Sequence, residues 1–274
     1  MLMTASQFRR SLISMCPGLD RRKTCDRIVA GNGKNAVRRV LVTWIADLDA
    51  LRFAAENGFD TVVTHEATFY YHEKELMDIG RTVDEVMHGA VEEKLDIIRK
   101  ASITVIRCHD VWDRNPEMGP AVSLARYIGL GHFPAASANM QFRFDSSPMK
   151  AVDLALNIAE KLKPLGQDGI ELFGDGEKTV CRVGICTGQA GSIPNFVRLG
   201  CDCAVISDDG SNYWKNIVWA QEHSFPVFRI SHFTAEEPSM SSLTDYINRT
   251  FALEGITAEH FVHRRRCRVV KSGN

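Results

Sequence analysis

The chain has 274 residues, 45% of them hydrophobic and 24% charged, the fractions of an ordinary soluble globular protein. That length accommodates one large α/β domain or two small ones. A formal net charge of −1 gives no electrostatic reason to expect nucleic acid or an anionic membrane as partner, and no apolar run approaches the length of a transmembrane helix.

In chain order, Leu2, Phe8, Leu12 and Ile13 outline a short amphipathic helix ended by Pro17-Gly18, with Arg9 and Arg10 interrupting what a signal peptide would keep apolar. Gly31-Asn32-Gly33 lacks the third glycine and the following helix of a dinucleotide fingerprint and reads as a turn. Residues 38–44 form a strand, and Asp47 caps a helix to Asn57 that Gly58 stops. A strand over 60–64, a helix over 84–100, a strand over 103–107 and a helix over 120–130 follow. The Ala-, Ser- and Pro-rich stretch 133–139 is the best candidate for a boundary. Beyond it lie a helix (148–162), a strand (180–186), a helix opening near Ser192 and a strand (203–206). A helix (214–223), a strand (227–230) and a last helix (241–251) complete the chain. This alternation is that of an α/β protein with a largely parallel or mixed sheet.

Eight scattered cysteines, with no Cys-x-x-Cys pair, do not make a disulfide framework, and reduced thiols in a cytoplasmic protein are the expectation. The basic run from His263 to Arg268 reads as a solvated strand or tail.

Three strands stop at a histidine with acids close behind. The first ends at His65-Glu66, the second at His109-Asp110 with Asp113 beyond, the third at His232 followed by Glu236 and Glu237. Sites in open α/β sheets lie beyond the carboxyl ends of strands, so these side chains can converge. Imidazole and carboxylate together suit zinc, manganese or iron. Five or more ligands exceed what one tetrahedral ion needs, and two ions roughly 3.5–4 Å apart fit better. Each histidine taken alone is a loop residue or a hydrogen-bonding group; the threefold repetition is the signal. His72-Glu73 is a reserve candidate, and Asp208-Asp209 is either a polar turn or a further carboxylate source.

The blocks Thr64-His65-Glu66-Ala67-Thr68-Phe69-Tyr70, His109-Asp110-Val111-Trp112-Asp113 and His232-Phe233-Thr234-Ala235-Glu236-Glu237-Pro238 resemble the Nif-three-like family of dinuclear metal proteins, whose members often carry the name GTP cyclohydrolase I type 2 homolog. The resemblance runs from about Cys25 to Phe251 and includes Asp26-Arg27-Ile28-Val29-Ala30-Gly31 near its start. The family's first block usually has two adjacent histidines before a proline; here Glu66 and Ala67 replace the second histidine and the proline, as in a divergent His-Glu branch. Asp110 is an added carboxylate beside the family's Asp position, which Asp113 fills, and Ser231 stands where a glycine usually precedes the third histidine.

The resemblance implies two interlinked α/β halves with mixed sheets and a metal cleft at the strand ends. The first half would span 1–135 and the second 136–274, with about 225–274 returning to complete the site. It implies His65, Glu66, Asp113, His232 and Glu236 as ligands of two divalent ions (zinc, manganese or iron), and a homo-oligomer, often a hexameric ring. Asp110, Glu237 or His72 would remain as general base or outer partner. Two functions are compatible with this: a metal-dependent hydrolase acting on a small molecule, with a nucleotide ring as one substrate class, or a metal-binding scaffold or chaperone with protein partners. No nucleic acid and no membrane are expected as partners.

Overall fold

The computed structural model describes residues 2–70, 85–264 and 267. His72, Glu73, the start of the helix expected from Asp84, and Arg265, Arg266 and Arg268 lie outside the described residues. The chain divides into two compact units, Met1–Gly119 with Ser239–Val262, and Pro120–Pro238 with His263–Asn274.

The first unit opens with α1 (Ala5–Ile13), where Thr4 and Gln7 form a reciprocal capping box. Then come β1 (Ile28–Ala30), β2 (Arg39–Thr43), α2 (Leu48–Glu56), β3 (Thr61–Thr64), α3 (Glu85–Lys100), β4 (Thr104–Arg107) and the single turn α4 (Asp110–Asp113). The second unit contributes α5 (Pro120–Tyr127), β5 (Ala136–Ala138), β6 (Gln141–Lys150), α6 (Ala151–Leu162), β7 (Glu171–Phe173) and β8 (Thr179–Ile185). It continues with α7 (Ile193–Arg198), β9 (Cys203–Ser207), a π-helical turn at Tyr213–Val218 leading into α8 (Trp219–Glu222), and β10 (Val227–Ile230). The chain closes with α9 (His232–Thr250) and β11 (Thr257–His260).

In the first unit the strand order is β1-β4-β3-β2-β11, with β1 antiparallel to β4 and the other neighbours parallel. Both faces are covered, which is why β3 and β4 are buried at every position. Val40, Val42, Val63 and Ile106 pack with Phe8 and Leu12 of α1 and Met240, Leu243 and Ile247 of α9. On the other face Leu41, Val62 and Val105 meet Leu51 and Ala54 of α2 and Val91 and Ile98 of α3. In the second unit the order is β5-β6-β8-β9-β10-β7; β8, β9 and β10 are parallel and the outer pairings antiparallel.

Several boundaries differ from the sequence-based ones. The stretch at 133–139 contains β5, which is hydrogen-bonded to β6, so the units part earlier, at Gly119. The returning segment is Ser239–Val262 and not all of 225–274, because β10 lies between β9 and β7 inside the second sheet. The helix expected from 148 begins at Ala151, since β6 stays paired with β8 as far as Lys150. The last helix begins at His232 and not near 241, and it carries Pro238 in its interior. Gly31 has φ +88°, consistent with a turn. All eight cysteines are free, and no helix among the described residues is long and apolar enough to cross a membrane.

Candidate metal centre

In the first unit β3 and β4 are parallel neighbours in register, Thr64 beside Arg107. The residues that follow them, His65-Glu66 and Cys108-His109, therefore emerge side by side at the carboxyl edge. The Cys108 amide donates to the Thr64 carbonyl at 2.9 Å, continuing the ladder one residue past the strands.

His65 is completely buried, and its Nδ1 lies 3.2 Å from the Cys108 carbonyl oxygen. A carbonyl can only accept, so Nδ1 carries a proton and Nε2 is left as the ring's coordinating nitrogen. Nε2 lies 3.4 Å from Asp113 Oδ1. In the neutral imidazole both facing atoms are acceptors, an arrangement that a cation between them resolves: a metal ion or a second proton on the ring. His109 stacks on His65 with centroids 4.6 Å apart and planes 17° apart. Its Nε2 is 3.5 Å from Glu66 Oε1, and its Nδ1 is 3.2 Å from Asp110 Oδ1 and 3.5 Å from Asp113 Oδ2. His65, His109 and Asp113 offer ligand atoms within 4.8 Å of one another, a group that could hold a metal ion. His109 thus belongs to the cluster, although sequence reasoning left its role open.

Two buried charges that sequence reasoning did not single out build this edge. Arg107, 1% exposed, donates from Nε to the His65 carbonyl at 3.1 Å and from Nη2 to Glu66 Oε2 at 3.2 Å. The Glu66 that stands where the family has a second histidine is thereby tied to a guanidinium on one oxygen. Asp26, also 1% exposed, accepts from the backbone N–H of His109 (2.5 Å), Asp110 (3.0 Å) and Val111 (2.8 Å), capping α4 from a distant point in the chain. The clue to Arg107 was a cation ending an otherwise apolar strand, a residue rarely buried unless paired.

Asp110 is held well below the usual carboxylate range by its hydrogen bond with His109, assisted by Thr24 and the Cys25 amide. A carboxylate so acidic is a weak proton acceptor. Burial alone would lower the pKa of His109, but Asp113, Asp110 and Glu66 outweigh it and raise the pKa well above its ordinary value.

In the second unit β9 and β10 end in register, Ile230 beside Ser207. The Asp208 amide donates to the Ile230 carbonyl at 2.8 Å, and Asp208 Oδ1 accepts from the His232 amide at 2.9 Å, where α9 begins. His232 lies between two carboxylates, Nδ1 2.9 Å from Asp209 Oδ2 and Nε2 2.9 Å from Glu236 Oε2. The four-residue spacing puts His232 and Glu236 on one face of the first helical turn. Glu236 and Glu237 are both 1% exposed, and Glu237 Oε1 accepts from the His263 amide at 3.0 Å. Asp209, weighed in the sequence as a turn residue or a carboxylate source, fixes the orientation of the His232 ring through Nδ1. Gly188 faces the same pair: a Cβ there would lie 3.4 Å from both His232 Nε2 and Glu236 Oε1.

Burial would lower the pKa of His232, but Asp209 and Glu236 outweigh it and raise it from 6.5 to about 11. A protonated ring cannot ligate, so loading His232 requires this proton to leave. If His232 is a ligand, apparent metal affinity should rise with pH, about tenfold per unit for each proton displaced, as pH rises towards about 11. Calorimetric titration in buffers of different ionisation enthalpy reads the release directly, and no proton release at neutral pH would contradict ligation by His232. The same raised pKa stabilises the metal-free protein fully below pH 6.5 and progressively less as pH rises towards about 11.

A family model described as Duf34/NIF3 (NGG1p interacting factor 3) matches residues 24–266. A Pseudomonas aeruginosa protein named GTP cyclohydrolase 1 type 2 homolog is 25% identical over 236 residues, 84% of this chain and 86% of its own. An Escherichia coli protein of the same name is 24% identical over 223 residues, 81% of this chain and 84% of its own. Among solved structures, a Staphylococcus aureus protein superposes with a TM-score of 0.76 at 15% identity, covering 98% of this chain and 99% of that one. A Bacillus cereus protein related to NIF3 superposes with a TM-score of 0.70 at 10% identity over the whole of both chains. Identities this low speak for the fold alone, whereas the family match takes in nearly the whole sequence and every block that ends in a histidine. The chain belongs to the Duf34/NIF3 family.

Proposed function

We propose that this protein binds two divalent ions and uses them to hydrolyse a small molecule. The ligands would be His65, Glu66 and Asp113 together with His232 and Glu236. The observation that carries the metal reading is the His65–Asp113 pair, with Nδ1 committed to a carbonyl and Nε2 facing a carboxylate oxygen. Ions in such surroundings make a bound water acidic and polarise the bond it attacks. Around them Asp209 orients His232, and Arg107 restrains Glu66 so that Oε2 is committed and Oε1 turns towards His109. The name shared by the curated relatives makes a purine nucleotide ring one substrate class to screen.

A second reading, a metal-binding scaffold with protein partners, draws support from the same carboxylates. Asp110 is too acidic to take a proton readily, and Glu237 Oε1 is engaged by a backbone N–H. Elemental analysis of the purified protein and of His232→Ala and Asp113→Ala variants tests what both readings share. At least two metal equivalents per chain are expected, reduced in each variant. Full occupancy in His232→Ala would refute the ligand assignment. Turnover in a screen of nucleotides and related small molecules then separates hydrolase from scaffold.

A further inference from the structure

We infer that Cys25, His109 and Asp110 form a third, thiolate-containing position for a zinc-like divalent ion, separate from the five ligands proposed above. The topology builds this corner. Strand β1 runs antiparallel to β4 with Ile28 opposite Ile106, and the Arg107 amide donates to the Arg27 carbonyl at 2.8 Å. Carrying that register two residues further places Cys25, before β1, opposite His109, after β4. Asp110 closes the corner: its Oδ2 accepts from the Cys25 amide at 3.1 Å and its Oδ1 lies 3.2 Å from His109 Nδ1. The three side chains offer a sulfur, an imidazole nitrogen and a carboxylate oxygen within 4.8 Å of one another.

The donor set selects the ion. Sulfur, imidazole and carboxylate on one centre are ordinary zinc ligands, whereas manganese and magnesium favour all-oxygen or oxygen-rich sites. The neighbouring Cys108, 1% exposed, is not part of this group of converging ligand atoms. Cys25 is 8% exposed, and the His109 and Asp110 side chains are 14% and 25% exposed, so the corner opens towards solvent on its Asp110 side. The sulfur–ion bond forms as the thiol proton leaves to solvent, with no change in oxidation state. Asp26, which accepts from the His109 and Asp110 amides, holds two of the three ligands in place from behind.

Cobalt(II) occupies zinc sites and shows a near-ultraviolet charge-transfer band only when sulfur is among its ligands. The metal-stripped full chain titrated with cobalt should develop that band, Cys25→Ser and Cys25→Ala should lose it, and His232→Ala should keep it. X-ray absorption of the zinc-loaded wild-type protein, which needs no variant, should show sulfur in the shell of part of the bound zinc. Asp110→Asn, which leaves the sulfur in place, should weaken zinc binding at this corner by about tenfold or more. Cobalt or zinc binding without sulfur, or a band that survives loss of Cys25, overturns the third position and leaves the two-ion reading standing. A sulfur band together with unchanged metal content in His232→Ala does the reverse, and no metal uptake at all defeats both.

Discussion

Replacing Arg107 with alanine should destabilise the metal-free protein by about 3–5 kcal/mol, the range seen when one partner of a buried ion pair is removed. The guanidinium is fully enclosed, and Glu66, its partner at 3.2 Å, is only 13% exposed, so water does little to screen the loss. Three effects act together: Glu66 Oε2 loses its cation, the His65 carbonyl loses a donor, and a long side chain leaves a void in a packed strand. At roughly 2–4 °C per kcal/mol for a protein of this size, the melting temperature should fall by about 6–20 °C. Zinc or manganese should then stabilise Arg107→Ala more than it stabilises the wild type, because an added cation replaces the missing one beside Glu66. Arg107→Lys keeps the charge without the planar fork and should fall between the two. Equal metal-induced shifts in wild type and Arg107→Ala would remove Glu66 from the ligand set.

The second large effect is expected at Asp26. Its carboxylate accepts three successive backbone N–H groups at the start of α4, and Asp26→Ala leaves all three without that acceptor in a buried setting. Bonds to a charged acceptor contribute about 1.5–3 kcal/mol each, and some are recovered as water enters, so a net loss of about 3 kcal/mol is expected. The damage is also local. His109, Asp110 and Asp113 all hang from this turn, so the cobalt and zinc signals assigned to them should weaken even where the protein stays folded. Urea unfolding and metal content measured on the same preparation separate the two consequences. Asp26→Asn should recover part of the loss, since its Oδ1 can still accept from the His109 and Asp110 amides while its amide nitrogen, a donor, would face the Val111 N–H.

Much of the first sheet was legible because β2, β3 and β4 are covered on both faces and so read as unbroken apolar runs. The same runs made His65 and His109 conspicuous where they stop. The opening of α9 was hidden for the opposite reason. Phe233, Thr234, Ala235, Glu236 and Glu237 are all at most 9% exposed, so no apolar stripe marks a helical face there, and Pro238 reads as a boundary. β11, with the sequence Thr-Ala-Glu-His, has too little apolar content to announce a strand and exists because β2 offers it a parallel edge. Arg107 and Asp26 carry charges that composition assigns to the surface; only the partners brought by distant strands bury them. Asp209 was ambiguous because a turn acid and an outer carboxylate look alike until the ring it faces is in view. Cys25 was one thiol among eight until β1 aligned it with His109.

The discontinuity of the first unit has a consequence for synthesis. The first unit, begun earlier, is completed only by Ser239–Val262, after all of Pro120–Pro238, the main part of the second unit, has been made. During that interval β2 has β3 on one side and no strand on the other, and the faces of Val40 and Val42 lack Met240, Leu243 and Ile247. An open parallel edge beside uncovered aliphatic side chains is what holdase chaperones recognise and what nascent chains on the same message stick to. β11, which carries no ligand, therefore sets when the histidine-bearing sheet becomes safe in a crowded cell: only after residue 260 has emerged is the open edge of β2 closed.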